Sequence, residues 1–175
     1  MITGTLTIDY TMSLEEMINT GHYEHLRWFY NTNEVKDLIL SKFTQLLSGI
    51  GKVDVEFKIF NFEPSRLPLF RTDRYISTED ILSQIRRDGY RPAKIEELLA
   101  YGAAFPEAQR ESTIHALGSL IELPEKGVSL GARLLQTQWP GNPRVFWVDH
   151  HPLWVNARPY RYGNWYLGIK IKPKS

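Results

Sequence analysis

The sequence predicts an α+β fold, in which a strand and helices come first and the C-terminal half is rich in strands. Helical spacing of apolar residues is found mainly before residue 105, whereas short β-like runs separated by Gly and Pro dominate from residue 114 onward. Segregation of this kind is typical of α+β folds rather than of parallel α/β sheets. With 175 residues, 42% of them hydrophobic, the chain is large enough to bury a core. We expect a strand–helix–helix–strand segment over 1–70 and an α+β domain over 71–175, packed as one compact unit.

The first segment contains four predicted elements. Polar and apolar residues alternate over Thr3–Tyr10, which predicts a strand. Ser13-Leu-Glu-Glu16 has the spacing of a capping box and predicts a short helix that ends at Gly21. Apolar residues at helical spacing between Asn33 and Leu47 predict a second helix. Strict alternation over Lys52–Phe62 predicts a strand whose Val, Phe and Ile side chains point to one side.

The second segment begins with two predicted helices. Ser77 is a suitable N-cap for a helix over Thr78–Asp88, and Gly89 is a suitable terminator. Pro92 suits the first turn of the next helix, which is expected to continue to about Ala104. Four strands are predicted after it: Ile114–Leu123, Ala132–Trp139, Arg144–Val148 and Trp165–Ile171.

Composition and charge exclude several classes of protein. The chain contains no cysteine, which excludes disulfides, thiolate metal sites and a thiol nucleophile. It has no apolar run of the length that crosses a membrane, and its first ten residues lack the basic-then-apolar layout of a signal peptide, which favours a cytoplasmic location. Residues 131–175 carry seven Lys and Arg residues but one acid, Asp149. This bias favours either an anionic partner or attraction between two parts of one fold.

Three stretches carry a resemblance to a bacterial protein family. They are Ser13-Leu-Glu-Glu-Met-Ile18 followed by Gly21 and Tyr23; Tyr75-Ile-Ser-Thr-Glu-Asp80 leading into Gly89-Tyr-Arg-Pro-Ala93 and Glu96-Glu-Leu-Leu-Ala100; and Ala116-Leu-Gly-Ser119. The chain resembles an uncharacterised family, known mainly from environmental genomes, in which an RPA..EELLA helix is followed by YPE.QR and ALGS motifs. Its last strand departs from the family pattern, because Trp165-Tyr-Leu-Gly-Ile-Lys170 stands where the family has RFLAVR. The family has no assigned activity, so this resemblance implies no function.

A second resemblance concerns the fold. Two successive helices, a tryptophan-rich β segment and a last strand ending in Leu167-Gly-Ile-Lys-Ile171 are similar to the C-type-lectin-like fold of formylglycine-generating enzymes and of variable proteins of diversity-generating retroelements. The resemblance implies a scaffold that presents a ligand-binding surface. The cysteines that those enzymes use have no counterpart in this chain, which contains none.

The tetrapeptide Val148-Asp-His-His151 is the segment most suggestive of metal binding. It resembles one motif of the DHH phosphoesterases, and carboxylate and imidazole are ligands of Zn²⁺ and Mn²⁺. Its two histidines are adjacent, so on a strand they point to opposite faces and do not share a metal. His22 and His25 would share a helix face if their stretch were helical. We expect no metal and no cofactor, and keep a metal-dependent hydrolase near Asp149 and His151 as an alternative.

Other catalytic patterns are weak. Ser119 follows a glycine but lacks the second glycine of a nucleophile elbow. The adjacent acids Glu15–Glu16 and Glu96–Glu97 are expected on helix surfaces, as solvated charge or as caps, because neighbouring helical residues do not face each other. The sequence therefore favours a protein that is not an enzyme.

Aromatic residues are concentrated between residues 139 and 166, which include four of the five tryptophans. Rigid aromatic side chains mixed with Arg and Asn are typical of recognition surfaces. Alternation predicts that Val145 and Trp147 lie on the opposite face from Phe146 and Val148, so that one pair is more exposed. The predicted ligand-binding residues are Trp147, Asp149, His151, Trp154, Asn156, Arg158, Tyr160, Arg161 and Tyr162.

These patterns predict a non-enzymatic binding module whose ligand is a protein, a peptide or a glycan, with no membrane contact. The same basic aromatic surface also suits nucleic acid, because Arg pairs with phosphates and aromatic rings stack on bases. Nucleic-acid binding is therefore the first alternative. The sequence pI of about 7.9 is low for a dedicated nucleic-acid binder.

Overall fold

The computed structural model describes residues 2–23, 25–28, 37, 41–44, 51–62, 75–123, 128–135, 144–151, 154–156 and 164–171. The strands are β1 (Ile2–Asp9), β2 (His25–Trp28), β3 (Lys52–Asn61), β4 (Tyr75–Ser77), β5 (Tyr90–Pro92), β6 (Thr113–Leu123), β7 (Val128–Leu135), β8 (Val145–His151), β9 (Trp154–Asn156) and β10 (Asn164–Lys170). The helices are α1 (Leu14–Thr20), α2 (41–44), α3 (Thr78–Arg87), α4 (Ile95–Ala104) and α5 (Ala108–Glu111). The predicted α+β fold is confirmed.

One mixed sheet organises the molecule. Its strand order is β1-β3-β10-β6-β7-β8-β2, and β5 also pairs with β10. Neighbours are antiparallel except for the β10–β6 and β8–β2 pairs. Strands β4 and β9 form a separate two-stranded sheet. The main sheet therefore includes strands from both predicted segments, since β3 pairs directly with β10. Within the described residues, no helix is long and apolar enough to cross a membrane.

The main hydrophobic core lies on one side of this sheet, called here the core face. Alternate residues of its strands point into it, among them Leu6, Phe57 and Leu167, each 2% exposed or less. Helices α1 and α4 pack on this face and contribute the buried side chains of Met17 and Leu98. The core follows from the period-two alternation that the sequence shows most clearly in β3.

Local capping explains where the helices begin and end. The predicted capping box is present in α1, where the Ser13 hydroxyl accepts from the Glu16 backbone N–H at 3.2 Å and the Glu16 carboxylate accepts from the Ser13 N–H at 2.6 Å. Helix α3 begins after Ser77, whose hydroxyl accepts from the Asp80 N–H at 3.1 Å. It is followed by Gly89 at a φ of 83°, which glycine adopts without steric cost.

The structure corrects the predicted start of α4. Pro92 does not lie in its first turn but ends β5, where it pairs with Gly168 of β10, and the helix begins at Ile95. The residue before a proline favours extended backbone, which suits Arg91 in a strand. Helix α5 and strands β2, β4, β5 and β9 were not predicted. The second predicted helix is described only in part: residues 37 and 41–44 are helical, Phe43 is 0% exposed, and the rest lies outside the described residues.

Strand β5 is inserted between β10 and β6. β6 pairs with the first part of β10, at Asn164–Tyr166, and β5 pairs with the last part, at Gly168–Lys170. The Ala93 N–H donates to the Leu167 carbonyl at 2.9 Å, and the Gly118 N–H donates to the Ala93 carbonyl at 2.8 Å. The β6–β7 register is interrupted between Ala116 and Ile121, so β6 bulges around the inserted segment.

Candidate binding face of the sheet

The face of the sheet opposite the core, called here the second face, carries a row of aromatic and cationic residues. The register pairs Tyr166 of β10 with His115 of β6, His115 with Arg133 of β7, and Arg133 with Trp147 of β8. Trp147 is in turn paired with Arg27 of β2. Residues at matching register positions lie side by side on one face. These five residues, called here the cross-strand row, therefore span the sheet from β10 to its β2 edge.

The row divides into a covered part and a more open part. Near β10, the second face is covered by α3, and Tyr166 packs with Ile81 and Ile85 in a separate buried cluster. The His115 ring stacks on the Tyr166 ring at 5.1 Å, and its Nε2 donates to Asn164 Oδ1 at 3.1 Å. Both rings are buried, so this end of the row belongs to the interior.

Burial along β7 shows where the second face opens. Its core-face residues Leu130, Ala132 and Leu134 are exposed by 1% or less. Its second-face residues Ser129, Gly131, Arg133 and Leu135 all have intermediate exposure. The second face is thus more accessible than the core face at β7.

The structure brings together three of the predicted ligand-binding residues. Trp147, Asp149 and His151 occupy alternate positions of β8, at the second-face register positions opposite Arg133, Gly131 and Ser129. Phe146 and Val148 are 0% exposed on the core face. Val145 of the other predicted pair is 4% exposed and so is buried as well.

The other predicted ligand-binding residues are placed elsewhere or lie outside the described part. Trp154 and Asn156 are in β9, where they pair with Ser77 and Tyr75 of β4, at the start of α3. The structure does not place them in the cross-strand row. The remaining predictions lie outside the described residues: Arg158, Tyr160, Arg161 and Tyr162.

Arg144, one of the basic residues behind the C-terminal charge bias, is held inside the protein. Its guanidinium donates to the carbonyls of Gly21 and Gly102, and its Nε donates to Gln109 Oε1 at 3.1 Å. It also lies 4.9 Å from the centre of the Tyr23 ring. These bonds join α1, α4, α5 and the start of β8, so this arginine stabilises the fold.

In searches against protein-family models, curated proteins and solved structures, nothing matches the chain. The sites must therefore be interpreted from their own geometry.

Among the side chains that the structure describes, no group of three or more His, Asp or Glu could hold a metal ion. The side chains of Asp149 and His151 lie outside this set, so the alternative metal site near them stays a prediction. His25 belongs to a β-strand, so it does not share a helix face with His22 as the conditional prediction required. His150 pairs with Leu130 and so occupies a core-face position, which separates it from Asp149 and His151.

A buried ionic cluster at the start of α4 was not predicted. Glu96 and Glu97 are both 0% exposed, so the expectation of surface charge is wrong. Arg91 binds Glu97 through two hydrogen bonds of 2.5 and 2.9 Å, and the Tyr10 hydroxyl donates to Glu97 Oε1 at 2.8 Å. The Lys94 N–H donates to the same carboxylate at 2.7 Å, so the expected capping role is correct for Glu97.

The cluster perturbs its own titrating groups. Burial, followed by the nearby Glu97 carboxylate, raises the pKa of the Tyr10 hydroxyl above its usual range. The hydrogen bonds to Glu97 raise the pKa of the Arg91 guanidinium. The arginine thus keeps its positive charge, and the tyrosine remains a neutral donor.

Two of the three sequence motifs, the one from Arg91 to Ala100 and Ala116-Leu-Gly-Ser119, meet at this cluster. Arg91 binds Glu97, Gly118 contacts Ala93, and the Ser119 hydroxyl accepts from the Ile95 N–H at 3.0 Å. Ser119 is 1% exposed and lies in β6, from which it caps the first turn of α4. These contacts stabilise the fold, because each of them holds together the junction of β5, α4 and the β6 bulge.

Two Tyr→Phe substitutions are expected to differ in their effect on stability. The Tyr166 hydroxyl is buried and has no hydrogen-bond partner among the described residues, so Tyr166→Phe should leave stability unchanged or raise it by up to about 1 kcal/mol. Tyr10→Phe removes the bond to Glu97 and should cost about 1–2 kcal/mol. Urea denaturation of both variants measures the difference. Equal losses in the two variants would contradict the assignment of these hydroxyl groups.

Proposed function

We propose that the protein is a non-enzymatic binding module whose second face, at β7, β8 and β2, recognises a protein, peptide or glycan ligand. One observation supports the proposal: the register aligns Arg133, Trp147 and Arg27 across three neighbouring strands where the second-face positions of β7 are partly exposed. Tryptophan and arginine are the residues that most often dominate binding energy at interfaces. Asp149 and His151, farther along β8, extend the surface with polar groups.

The remaining predicted residues follow β8 in the sequence. Trp154 and Asn156 follow β8 directly in β9, and Arg158, Tyr160, Arg161 and Tyr162 continue the same aromatic and basic pattern toward β10. A C-type-lectin-like arrangement of residues 71–175, a bacterial source and a cytoplasmic location remain parts of the proposal that rest on the sequence alone.

Binding selections with defined libraries test the proposal. The purified protein would be screened against a random linear-peptide display library and an immobilised glycan array. Ligands enriched by the wild type should bind Trp147→Ala and Arg133→Ala at least about tenfold more weakly, the loss that corresponds to removal of a strong interface contact. The control is Glu15→Ala, an exposed residue of α1, which should bind as the wild type does.

Three results would contradict the proposal. The first is that neither library yields a ligand, and the second is that the enriched ligands bind the Trp147→Ala variant unchanged. The third is a large fall in the melting temperature of Trp147→Ala together with loss of binding to all ligands, because Trp147 would then be part of the folded core. A thermal melt of each variant separates the last case from a loss of contact alone.

Nucleic-acid binding is the alternative that the cross-strand row also supports, because it alternates cationic and aromatic residues. A single-stranded oligothymidylate titrated at two salt concentrations distinguishes it. Binding driven by phosphate contacts weakens steeply as salt rises, since counterions are released from the strand. Weak binding with little salt dependence would favour the peptide or glycan ligand. A metal-dependent hydrolase near Asp149 and His151 would instead show a melting temperature that falls on chelation.

A further inference from the structure

Strand β1 lies at one end of the main sheet, and among the described strands it pairs only with β3. The β1–β3 register runs from Ile2 opposite Ile59 to Asp9 opposite Lys52 without interruption. A strand in this position has one edge whose backbone donors and acceptors are not used by the sheet.

The pairing identifies which groups lie on that free edge. The Tyr10 N–H donates to the Gly51 carbonyl at 3.0 Å, which makes this a hydrogen-bonded pair of the antiparallel ladder. Hydrogen-bonded pairs alternate along such a ladder. The even-numbered residues of β1 therefore bond to β3, and the backbone groups of Thr3, Thr5 and Thr7 point away from the sheet.

This edge lacks the usual protection against pairing with another strand. From Ile2 to Ile8 it contains no charged residue and no proline, and no bulge disturbs its register. Natural edge strands commonly carry lysine, proline or a bulge, which prevent such pairing. Residues 2–7 of the sequence are instead rich in threonine, which favours strand structure.

The edge is also complementary to itself. In an antiparallel pair of two β1 strands centred on Thr5, Thr3 lies opposite Thr7 and Ile2 lies opposite Ile8. The pairs that would form hydrogen bonds are Thr3–Thr7, Thr5–Thr5 and Thr7–Thr3. Each pair contributes two backbone hydrogen bonds, which gives about six in total. Threonine pairs and aliphatic pairs across strands are stabilising, and the register brings no like charges together.

Apolar side chains flank the same edge. Ile2 and Phe105 are 41% and 38% exposed, and they are two of the three exposed large hydrophobic residues in the described part of the chain. Phe105 packs on the Phe57 ring with centroids 5.4 Å apart, and the Phe57 ring lies against Gly4 of β1. An added strand beside β1 would therefore also cover apolar surface on the core side of the sheet.

From this geometry we infer that β1 is a self-association edge, through which a second copy of this chain joins antiparallel about Thr5 to form a two-fold dimer with one continuous sheet. The inference is independent of the proposed ligand-binding face, which lies toward the opposite, β2 end of the sheet.

Sedimentation velocity across a concentration series tests the dimer. The wild type should shift from monomer to dimer as concentration rises. Thr5→Pro removes an outward N–H without removing a bond to β3, so it should weaken dimerisation at least about tenfold while the fold is kept. The matched control Thr5→Val keeps the N–H and a β-branched side chain and should dimerise as the wild type does.

Amide hydrogen exchange of the wild type provides a test that does not depend on the folding of any variant. The amides of Thr3, Thr5 and Thr7 should exchange more slowly as protein concentration rises, whereas those of Gly4 and Leu6, already bonded to β3, should not respond. A wild type that sediments as a monomer at every concentration would overturn the inference. So would a folded Thr5→Pro variant that dimerises normally, or threonine amides whose exchange is independent of concentration.

Discussion

Replacing Gly118 with alanine is expected to destabilise the protein by about 3 kcal/mol, because the new methyl group has no space. A Cβ at this position would lie 2.6 Å from the Pro92 carbonyl oxygen and 2.7 Å from the Ala93 carbonyl oxygen. Both are backbone atoms of the segment inserted between β10 and β6, so neither can rotate away. The bulge would have to separate from Ala93, which would also break the bond from the Gly118 N–H.

Thermal and urea denaturation of Gly118→Ala measure this effect, which corresponds to a fall of roughly 10 °C in melting temperature for a chain of this size. Gly4→Ala is the matched control. Its Cβ would meet the outer ring atoms of Phe57 at 2.9 and 3.0 Å, and a ring can shift where a backbone carbonyl cannot. We expect a loss of about 1 kcal/mol or less for the control. Equal losses of stability in the two variants would show that the inserted segment can move to make room for the methyl group.

Glu97→Ala is expected to cost about 3 kcal/mol, because it leaves the Arg91 guanidinium without its carboxylate and the Tyr10 hydroxyl without its acceptor. Removal of one partner of a fully buried ion pair destabilises a protein by up to about 5 kcal/mol. The Arg91 side chain is 39% exposed, however, so it recovers part of its hydration in the variant. Glu97→Gln should cost less than Glu97→Ala, since it keeps the size of the side chain and one of its two acceptor oxygens.

The control for this prediction is Glu79→Ala on α3. The Glu79 side chain is 77% exposed and lies 3.9 Å from Arg86, so its removal should change stability by less than about 0.5 kcal/mol. A double variant, Arg91→Ala with Glu97→Ala, should be less destabilised than the sum of the two single variants, because the second change removes the unpaired charge. Additive losses would argue that the two residues act separately.

The elements that the sequence predicts well are those determined by neighbouring residues. The alternation of β3 and the capping box of α1 both depend on contacts within one element, and the structure confirms them. The burial of Glu97 depends on Tyr10, which is 87 positions away, and on a bulge in β6. A local pattern contains no information about such a partner, which explains why an adjacent pair of acids was assigned to the surface.

The candidate binding face shows the same division. Alternation alone separates Trp147 from Phe146, but all four residues from Val145 to Val148 are apolar, so the pattern does not show that Val145 is buried together with Phe146 and Val148. Only the pairing of β7 with β8 aligns Arg133 with Trp147, and only the parallel pairing of β8 with β2 adds Arg27. The signal available in the sequence was the local density of Trp and Arg, which indicated the segment but not the residues that face one another.

The position of β10 has a consequence for synthesis of the protein. This strand comes last among the described strands, yet it joins the β1–β3 pair to the β6–β7–β8–β2 strands. Until residues 164–170 have left the ribosome, the two parts of the sheet have no strand to connect them, and each exposes an unpaired edge. Nascent chains with such edges are prone to misassembly. Emergence of residues 164–170 from the ribosome, rather than the pairing of β1 with β3, is therefore expected to determine when the sheet becomes resistant to proteases.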